Sequence, residues 1–210
     1  MAGIPVLNSI NLIIRPGDVI GVTGSSGIGK TTLGLIMAGI LKPDKGSVVV
    51  NGKDLWTQRS KKRKALVKKL QMVFQHPESS FDPRWTIRQS LAEPYRLNRI
   101  RPHDSVLKNH LKEVELDGSV LSRRPGQLSG GELQRIALAR VMALEPEILI
   151  LDEPTAMLDV LTQARIMFLL KQFQKNKNTG YVLISHELKL IRYFSTKAFQ
   201  LKNGILVRLE

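Results

Sequence analysis

The chain of 210 residues is long enough to bury a core of its own as one domain, with room for an inserted lobe. It has no cysteine, which excludes disulfides, thiolate metal sites and cysteine nucleophiles. With 32 lysines and arginines against 18 aspartates and glutamates the formal charge is +14, a balance that suits nucleic acid, an anionic membrane surface or a simply solvated face.

No apolar run is as long as a membrane span, and the N-terminus has neither the basic nor the apolar region of a signal peptide, so a soluble, cytoplasmic chain is expected. In chain order, Val6 to Ile14 with the Arg15-Pro16-Gly17 turn, and Ser47 to Val50 with Asn51-Gly52, read as an antiparallel ribbon. Between them Val19 to Val22 is apolar on both faces, the pattern of a buried parallel strand. Directly behind it, Gly24-Ser25-Ser26-Gly27-Ile28-Gly29-Lys30-Thr31 has the spacing of a phosphate-cradling loop. Its glycines let backbone N–H groups wrap an oligophosphate, Lys30 reaches the β and γ phosphates, and the Thr31 hydroxyl is offered to Mg2+. A helix opening at Thr32, apolar on one side as far as Gly39, adds the favourable potential of its N-terminus. A glycine-rich turn without a ligand is the bland alternative. The densest cationic cluster comes next, Arg59 to Lys64 with Lys68 and Lys69, flanked only by Trp56 and Phe74 as aromatics.

Met72 to Phe74 is a second buried strand, followed at once by Gln75. From Pro77 to about Leu144 helical spacing replaces the strand signal, punctuated by Pro83, Pro94, Pro102 and Pro125, which predicts an inserted helical lobe. Within it Leu128-Ser129-Gly130-Gly131-Glu132 carries a capping box, Ser129 as N-cap and Glu132 three residues on, ahead of a buried stripe of Leu133, Ile136, Ala137, Val141 and Leu144. The glycine pair costs helix propensity, yet it opens the helix end to an anion. Two phosphate-binding helix ends in one chain are one more than a single ATP needs, and two copies facing head to tail use both.

Ile148 to Leu151 is a third buried strand, ending in Asp152 and Glu153. Asp152 is placed to hold Mg2+ through water and Glu153 to polarise the water attacking the γ phosphate, whereas solvated acids capping a helix are the alternative for such a pair alone. Asp159 suits a turn or an N-cap as readily. Val182 to Ile184 is the last buried strand, with His186 just beyond; at the carboxyl edge of a parallel sheet, Gln75 and His186 read as γ-phosphate sensors. Thr196 to Leu201, Asn203-Gly204 and Ile205 to Leu209 predict a closing hairpin.

On these motifs the chain resembles, over essentially its full length, the ATP-binding subunits of ABC transporters. The resemblance implies an α/β P-loop NTPase fold with a mostly parallel core sheet, an antiparallel β edge and an inserted helical subdomain. Residues 1–76 and 145–210 form the nucleotide-binding core in that reading, and residues 77–144 the helical subdomain. Gly24 to Thr32 then corresponds to the Walker A loop, Gln75 to the Q-loop glutamine, Leu128 to Glu132 to the signature motif, Asp152 and Glu153 to the Walker B pair, Asp159 to the D-loop and His186 to the switch histidine. The resemblance implies an ATPase with Glu153, His186 and Gln75 as catalytic residues and Mg2+ at Thr31, Gln75 and Asp152. ATP is sandwiched between residues Gly24, Ser25, Ser26, Gly27, Ile28, Gly29, Lys30, Thr31 and Thr32 of one subunit and Ser129, Gly130, Gly131, Glu132 and Asp159 of the other.

The implied partners are a second ATPase subunit, identical or related, transmembrane permease subunits, and indirectly an extracytoplasmic solute-binding protein, at the cytoplasmic face of the membrane; no nucleic acid is expected. The segment Phe74 to Arg84, continuing to Glu93-Pro94, is similar to the peptide and nickel import branch, and Leu183 to Leu188 to its nickel or metal-chelate importers. Phe81 and Trp85 are either the aromatics of a docking surface for the membrane partners or part of the core. Three positions depart from the family pattern: none of Met1 to Pro5 is aromatic where a residue usually stacks on adenine, Met157 replaces a small residue, and Glu132 replaces the commoner Gln. A soluble nucleic-acid-associated ATPase and a non-hydrolysing ATP-binding regulatory module are the competing functions.

Overall fold

The computed structural model describes residues 6–209, so the N-terminal stretch expected to meet adenine lies outside the described residues. The elements are β1 Val19–Thr23, α1 Lys30–Met37, β2 Val49–Val50, β3 Lys53–Asp54, α2 Ser60–Val67, β4 Leu70–Val73, α3 Ile87–Leu97, α4 Asp104–Glu113, α5 Gly130–Met142, β5 Ile148–Asp152, α6 Val160–Lys177, β6 Gly180–Ile184, α7 Leu188–Phe194, β7 Lys197–Lys202 and β8 Ile205–Arg208. They gather into two compact units, one of residues 1–72, 146–153 and 173–210 and one of residues 73–145 and 154–172.

In the first unit β1 and β6 are buried at every position and β5 at all but its first. Strands apolar on both faces must be covered on both faces, and they take the centre of a sheet ordered β4-β5-β6-β1-β7-β8. Val182 of β6 lies between Ile150 of β5 and Ile20 of β1, all three fully buried in parallel register. The predicted closing hairpin forms between β7 and β8 across Asn203 and Gly204, whose φ angles of 51° and 79° suit a primed turn. Its first strand also continues the parallel sheet beside β1, and β8 adds an antiparallel edge.

The α1 helix lies close on this sheet at Gly34. A Cβ there would stand 3.1 Å from Ile184 Cδ1, 3.2 Å from Met72 Cε and 3.4 Å from Ile150 Cγ2. The close approach offsets the helix-propensity cost of a mid-helix glycine, about 1 kcal/mol.

The predicted ribbon through Val6 to Ile14 does not form. Residues 6–18 hold no strand, and Asn8 N–H donates to Gly204 O over 2.7 Å instead. The polar Asn8, Ser9 and Asn11 break any alternation, and Ser9 takes a left-handed φ of 51° that a strand does not allow. The β2 strand consequently pairs with β3, across Asn51-Gly52.

In the second unit α3, α4 and α5 bury Ile87, Leu91, Leu107, Leu111, Ile136 and Leu138 to 1 % exposure or less. Thr86 and Gln89 close a capping box at the start of α3. Pro94, expected to punctuate, lies inside α3, where its carbonyl accepts from the Asn98 amide over 3.1 Å. The α5 helix ends at Met142, short of Leu144, and its burial goes beyond one stripe: Gln134, Leu138, Ala139 and Met142 are also covered. Phe81 belongs to the core: it is 6 % exposed beneath the Arg140 guanidinium, 4.5 Å from its ring centre, while Trp85 is half-buried. Arg140 also donates to Ser80 O over 2.7 Å and faces Glu93 at 3.6 Å.

At Gly21 in β1, a Cβ would stand 2.4 Å from Ser195 Oγ and 2.5 Å from Ile191 Cγ2. Gly21→Ala is expected to destabilise the protein by about 1–3 kcal/mol, read as a lower urea midpoint. An unchanged midpoint would contradict this packing of α7 on β1.

Candidate nucleotide site

The loop between β1 and α1 turns on glycines at the two positions that need them. Gly27 and Gly29 have φ of 75° and 107°, and a Cβ on Gly29 would also stand 2.7 Å from Val6 Cγ1. Ser25, Ser26 and Gly27 are exposed, Gly24, Ile28, Gly29 and Thr32 half-buried. Lys30 is buried at 8 % exposure, and its ammonium donates to Gly24 O over 2.9 Å and Ser25 O over 3.1 Å. The cation is therefore held on the loop's own carbonyls, beside the N-terminus of α1.

One residue on, Thr31 Oγ1 donates to Asp152 Oδ2 over 2.9 Å, joining positions 121 residues apart. Asp152 ends β5 at 4 % exposure. Burial pushes its carboxyl above the ordinary carboxylate range, a shift that Glu153 reinforces and that the Thr31 hydroxyl and the Lys30 charge oppose. Glu153 takes a left-handed φ of 48°, strained for a residue with a side chain, and is pinned by its N–H to Ile184 O at 2.9 Å. Its carboxylate accepts from the His186 backbone N–H over 3.0 Å and lies 3.0 Å from His186 Nδ1. A carboxylate accepts, so Nδ1 is the donor in this contact. Lys30, Thr31, Asp152, Glu153 and His186 are thus brought together by the first unit alone.

Gln75 belongs to the second unit, half-buried, two residues past β4. That unit also gathers Ser129, Gly130, Gly131, Glu132 and Asp159 around a concave pocket of about 280 Å³. Glu132 Oε2 accepts from Ser129 N–H over 2.8 Å and from Ser129 Oγ over 2.9 Å, which holds its carboxyl below the usual range. Asp159 serves as an N-cap: Oδ1 accepts from Thr162 N–H over 3.0 Å and Oδ2 from Thr162 Oγ1 over 2.7 Å. Gly131 has a packing role besides its openness, since a Cβ there would stand 2.6 Å from Thr162 Cγ2. Sequence reasoning passed over Arg135, Thr162 and Arg165, which line the same pocket. Arg135 was readable from its spacing of three and four from Glu132 and Gly131; Arg165, paired with Glu115 at 2.7 Å, carries no local signal.

Two outcomes are expected. Because the fold favours protonated Asp152, the stability from this group is present below its ordinary pKa of 3.8 and lost as pH rises through the raised value. Asp152→Asn should therefore melt higher than the wild type at pH 7 without nucleotide, a gap that closes in acid; a lower melting temperature at neutral pH would refute the desolvation argument. Gly131→Ala should destabilise by about 1–3 kcal/mol, and Thr162→Ser, which deletes the facing methyl but keeps the hydroxyl on Asp159, should rescue it.

The chain matches the ABC transporter family over residues 7–156. It is 39% identical over 208 residues to the nickel import ATP-binding protein NikE of Shigella boydii and to that of Escherichia coli, an alignment covering 98% of this chain and 78% of each relative. Its fold is similar to that of cbiO1 from Clostridium perfringens, part of the ABC transporter complex cbiONQ, with a TM-score of 0.84 and 30% identity over 96% of this chain and 80% of that one. A dimeric post-hydrolysis state of the ATP-binding cassette MJ0796 bound to ADP and Pi matches with a TM-score of 0.85 and 28% identity over 98% of this chain and 90% of that one. An exposed glycine turn around a buried lysine, a threonine on a buried aspartate and a histidine on the neighbouring glutamate thus stand in the sheet of a known ATPase fold, and the chain belongs to the ABC transporter family as an ATP-hydrolysing subunit.

Proposed function

We propose that this ATPase holds Mg-ATP at a head-to-tail interface with a second ATPase subunit, identical or related, and that closure and hydrolysis drive uptake through membrane-embedded permease partners. An extracytoplasmic solute-binding protein then acts indirectly, and the subunit works at the cytoplasmic face of the membrane. Residues 1–76 and 145–210 bind the nucleotide in this reading, and residues 77–144 present the signature helix. The solute is nickel, a metal chelate or a peptide, a class supported by the similarity to nickel import relatives.

The observation that carries the reading is the Thr31–Asp152 hydrogen bond of 2.9 Å beside the buried Lys30 ammonium. A hydroxyl and a carboxylate, both hard oxygen donors, fit Mg2+, and a desolvated carboxylate is stabilised by a cation. Thr31, Asp152 and Gln75 would hold it, where it supplies neutralisation of phosphate charge. The Gly24 to Thr32 backbone wraps the phosphates, Lys30 leaves its loop carbonyls for them, and Glu153 orients and polarises the attacking water. His186, whose Nδ1 lies on the Glu153 carboxylate, reports the γ phosphate to it by donating from Nε2–H. The other subunit's Ser129 to Glu132 and Asp159 close the site from the far side of the triphosphate.

In the complex reconstituted with its partners, Glu153→Gln should lose about a hundredfold or more in ATP turnover and still bind ATP. Unchanged turnover would remove Glu153 from this role. Lys30→Ala should abolish the thermal stabilisation by ATP, and radiolabelled nickel against dipeptide uptake in the same vesicles decides the solute.

A further inference from the structure

The concave pocket of the second unit has two arginines in its wall, and they are held differently. Arg135 is built in: half-buried, it donates from Nη1 to Val114 O over 3.3 Å and to Glu115 O over 3.0 Å, and from Nε to Gly131 O over 3.4 Å. Burial pulls its pKa down, and the neighbouring Arg165 charge adds to that. Arg165 is held only at the surface. Its side chain is 56% exposed, and its ion partner is the Glu115 carboxylate, 2.7 Å from Nε and itself 41% exposed, behind the pocket wall rather than in it. An ion pair so open to water contributes little to stability and is readily exchanged.

The start of α6 brings Arg165 to this place. Asp159, Thr162 and Arg165 recur every three residues, so they share the face of the helix start that lines the pocket with Ser129 to Glu132. The acids of the wall are already engaged: Glu132 accepts from Ser129 and Asp159 from Thr162, and these hydrogen bonds hold both carboxyls below their usual range. Ionised, they repel a polyphosphate. Glu132 is the sharper case, because it stands in the first turn of α5, the helix end assigned to the triphosphate, where a neutral glutamine caps as well. Arg135, within electrostatic reach, offsets Glu132 from a fixed position. That leaves Arg165 as the movable cation of the wall.

We infer that Arg165 is a phosphate-binding residue for the triphosphate that the other subunit brings to this pocket, and that it exchanges Glu115 for a terminal phosphate oxygen when the two subunits close; this rests on the head-to-tail arrangement proposed above. A guanidinium suits the exchange, since its planar fork meets phosphate and carboxylate alike in bidentate fashion, and the phosphate carries more charge than the carboxylate it replaces. Glu115 is then a competitor. It holds Arg165 before closure, and its own charge opposes the incoming anion. The two partners of one ion pair therefore act on ATP in opposite directions, which a purely structural pair does not do.

The ATP dependence of turnover in the complex reconstituted with its partners tests this. Arg165→Gln should raise the half-saturating ATP concentration about tenfold and Glu115→Gln lower it about threefold, the scale of one charged hydrogen bond. Both effects should fall on half-saturating ATP rather than on maximal turnover. Arg165→Lys should recover part of the loss, and added salt should weaken the wild type more than Arg165→Gln. Shifts in the same direction for Arg165→Gln and Glu115→Gln, as a structural ion pair gives, or an unchanged value for Arg165→Gln, would overturn the inference. The melting temperature of the full chain separates this from the nucleotide site itself: ATP should raise it in the wild type and in both variants, because that nucleotide sits at Lys30 of the same chain. A wild type that ATP does not stabilise would count against the site at Lys30 and not against Arg165 alone.

Discussion

A carboxylate with almost no access to water fixes the geometry on which the rest of this protein depends. Asp152 closes a strand of Ile148, Leu149, Ile150 and Leu151, and burial disfavours its charge. What holds it in place is a hydroxyl from the first turn of α1, and that hydroxyl arrives because Gly34 lets the helix lie within van der Waals contact of Ile184, Met72 and Ile150. The same helix start carries Lys30, whose charge partly relieves the carboxylate. The fold thus keeps a pair of opposite charges at the end of an apolar sheet, a poor arrangement for stability and a good one for a polyphosphate with its cation.

The next residue is strained as well. Glu153 bends into the left-handed region so that its carboxylate can meet the backbone and ring of His186, and the backbone contact to Ile184 over-determines the bend. In the second unit the acids play a different part. Glu132 and Asp159 are bound up in helix caps, and both are held ionised by the N–H and hydroxyl groups they accept. These caps fix the starts of α5 and α6 around one pocket, with Gly131 small enough to admit Thr162.

Two arginines of the lobe and the lysines of α2 are placed differently. Arg140 and Arg135 are drawn into the lobe, where burial pulls their pKa down and backbone carbonyls satisfy them. The lysines of α2 remain at the surface, against the dipole of their own helix. Arginine's planar fork tolerates desolvation better than an ammonium, which suits Arg140 and Arg135 to their partly buried places.

Much of this was legible in the residues, because it is local. Runs apolar on both faces marked β1, β5 and β6 within two residues, Ser129 with Glu132 announced the start of α5, and Asn203-Gly204 the last hairpin, since periodicity, capping and turn chemistry act over a few neighbours. The glycine loop likewise announced its own shape. Tertiary structure alone decided what depends on distant partners: that residues 6–18 stay out of the sheet while β7 joins it beside β1, that Phe81 lies under Arg140, that Arg165 faces the same pocket as Ser129, and that Thr31 meets Asp152 across 121 positions. Short-range patterns set the elements, whereas burial and the pairing of charges depend on which elements pack together, and no window of sequence contains that.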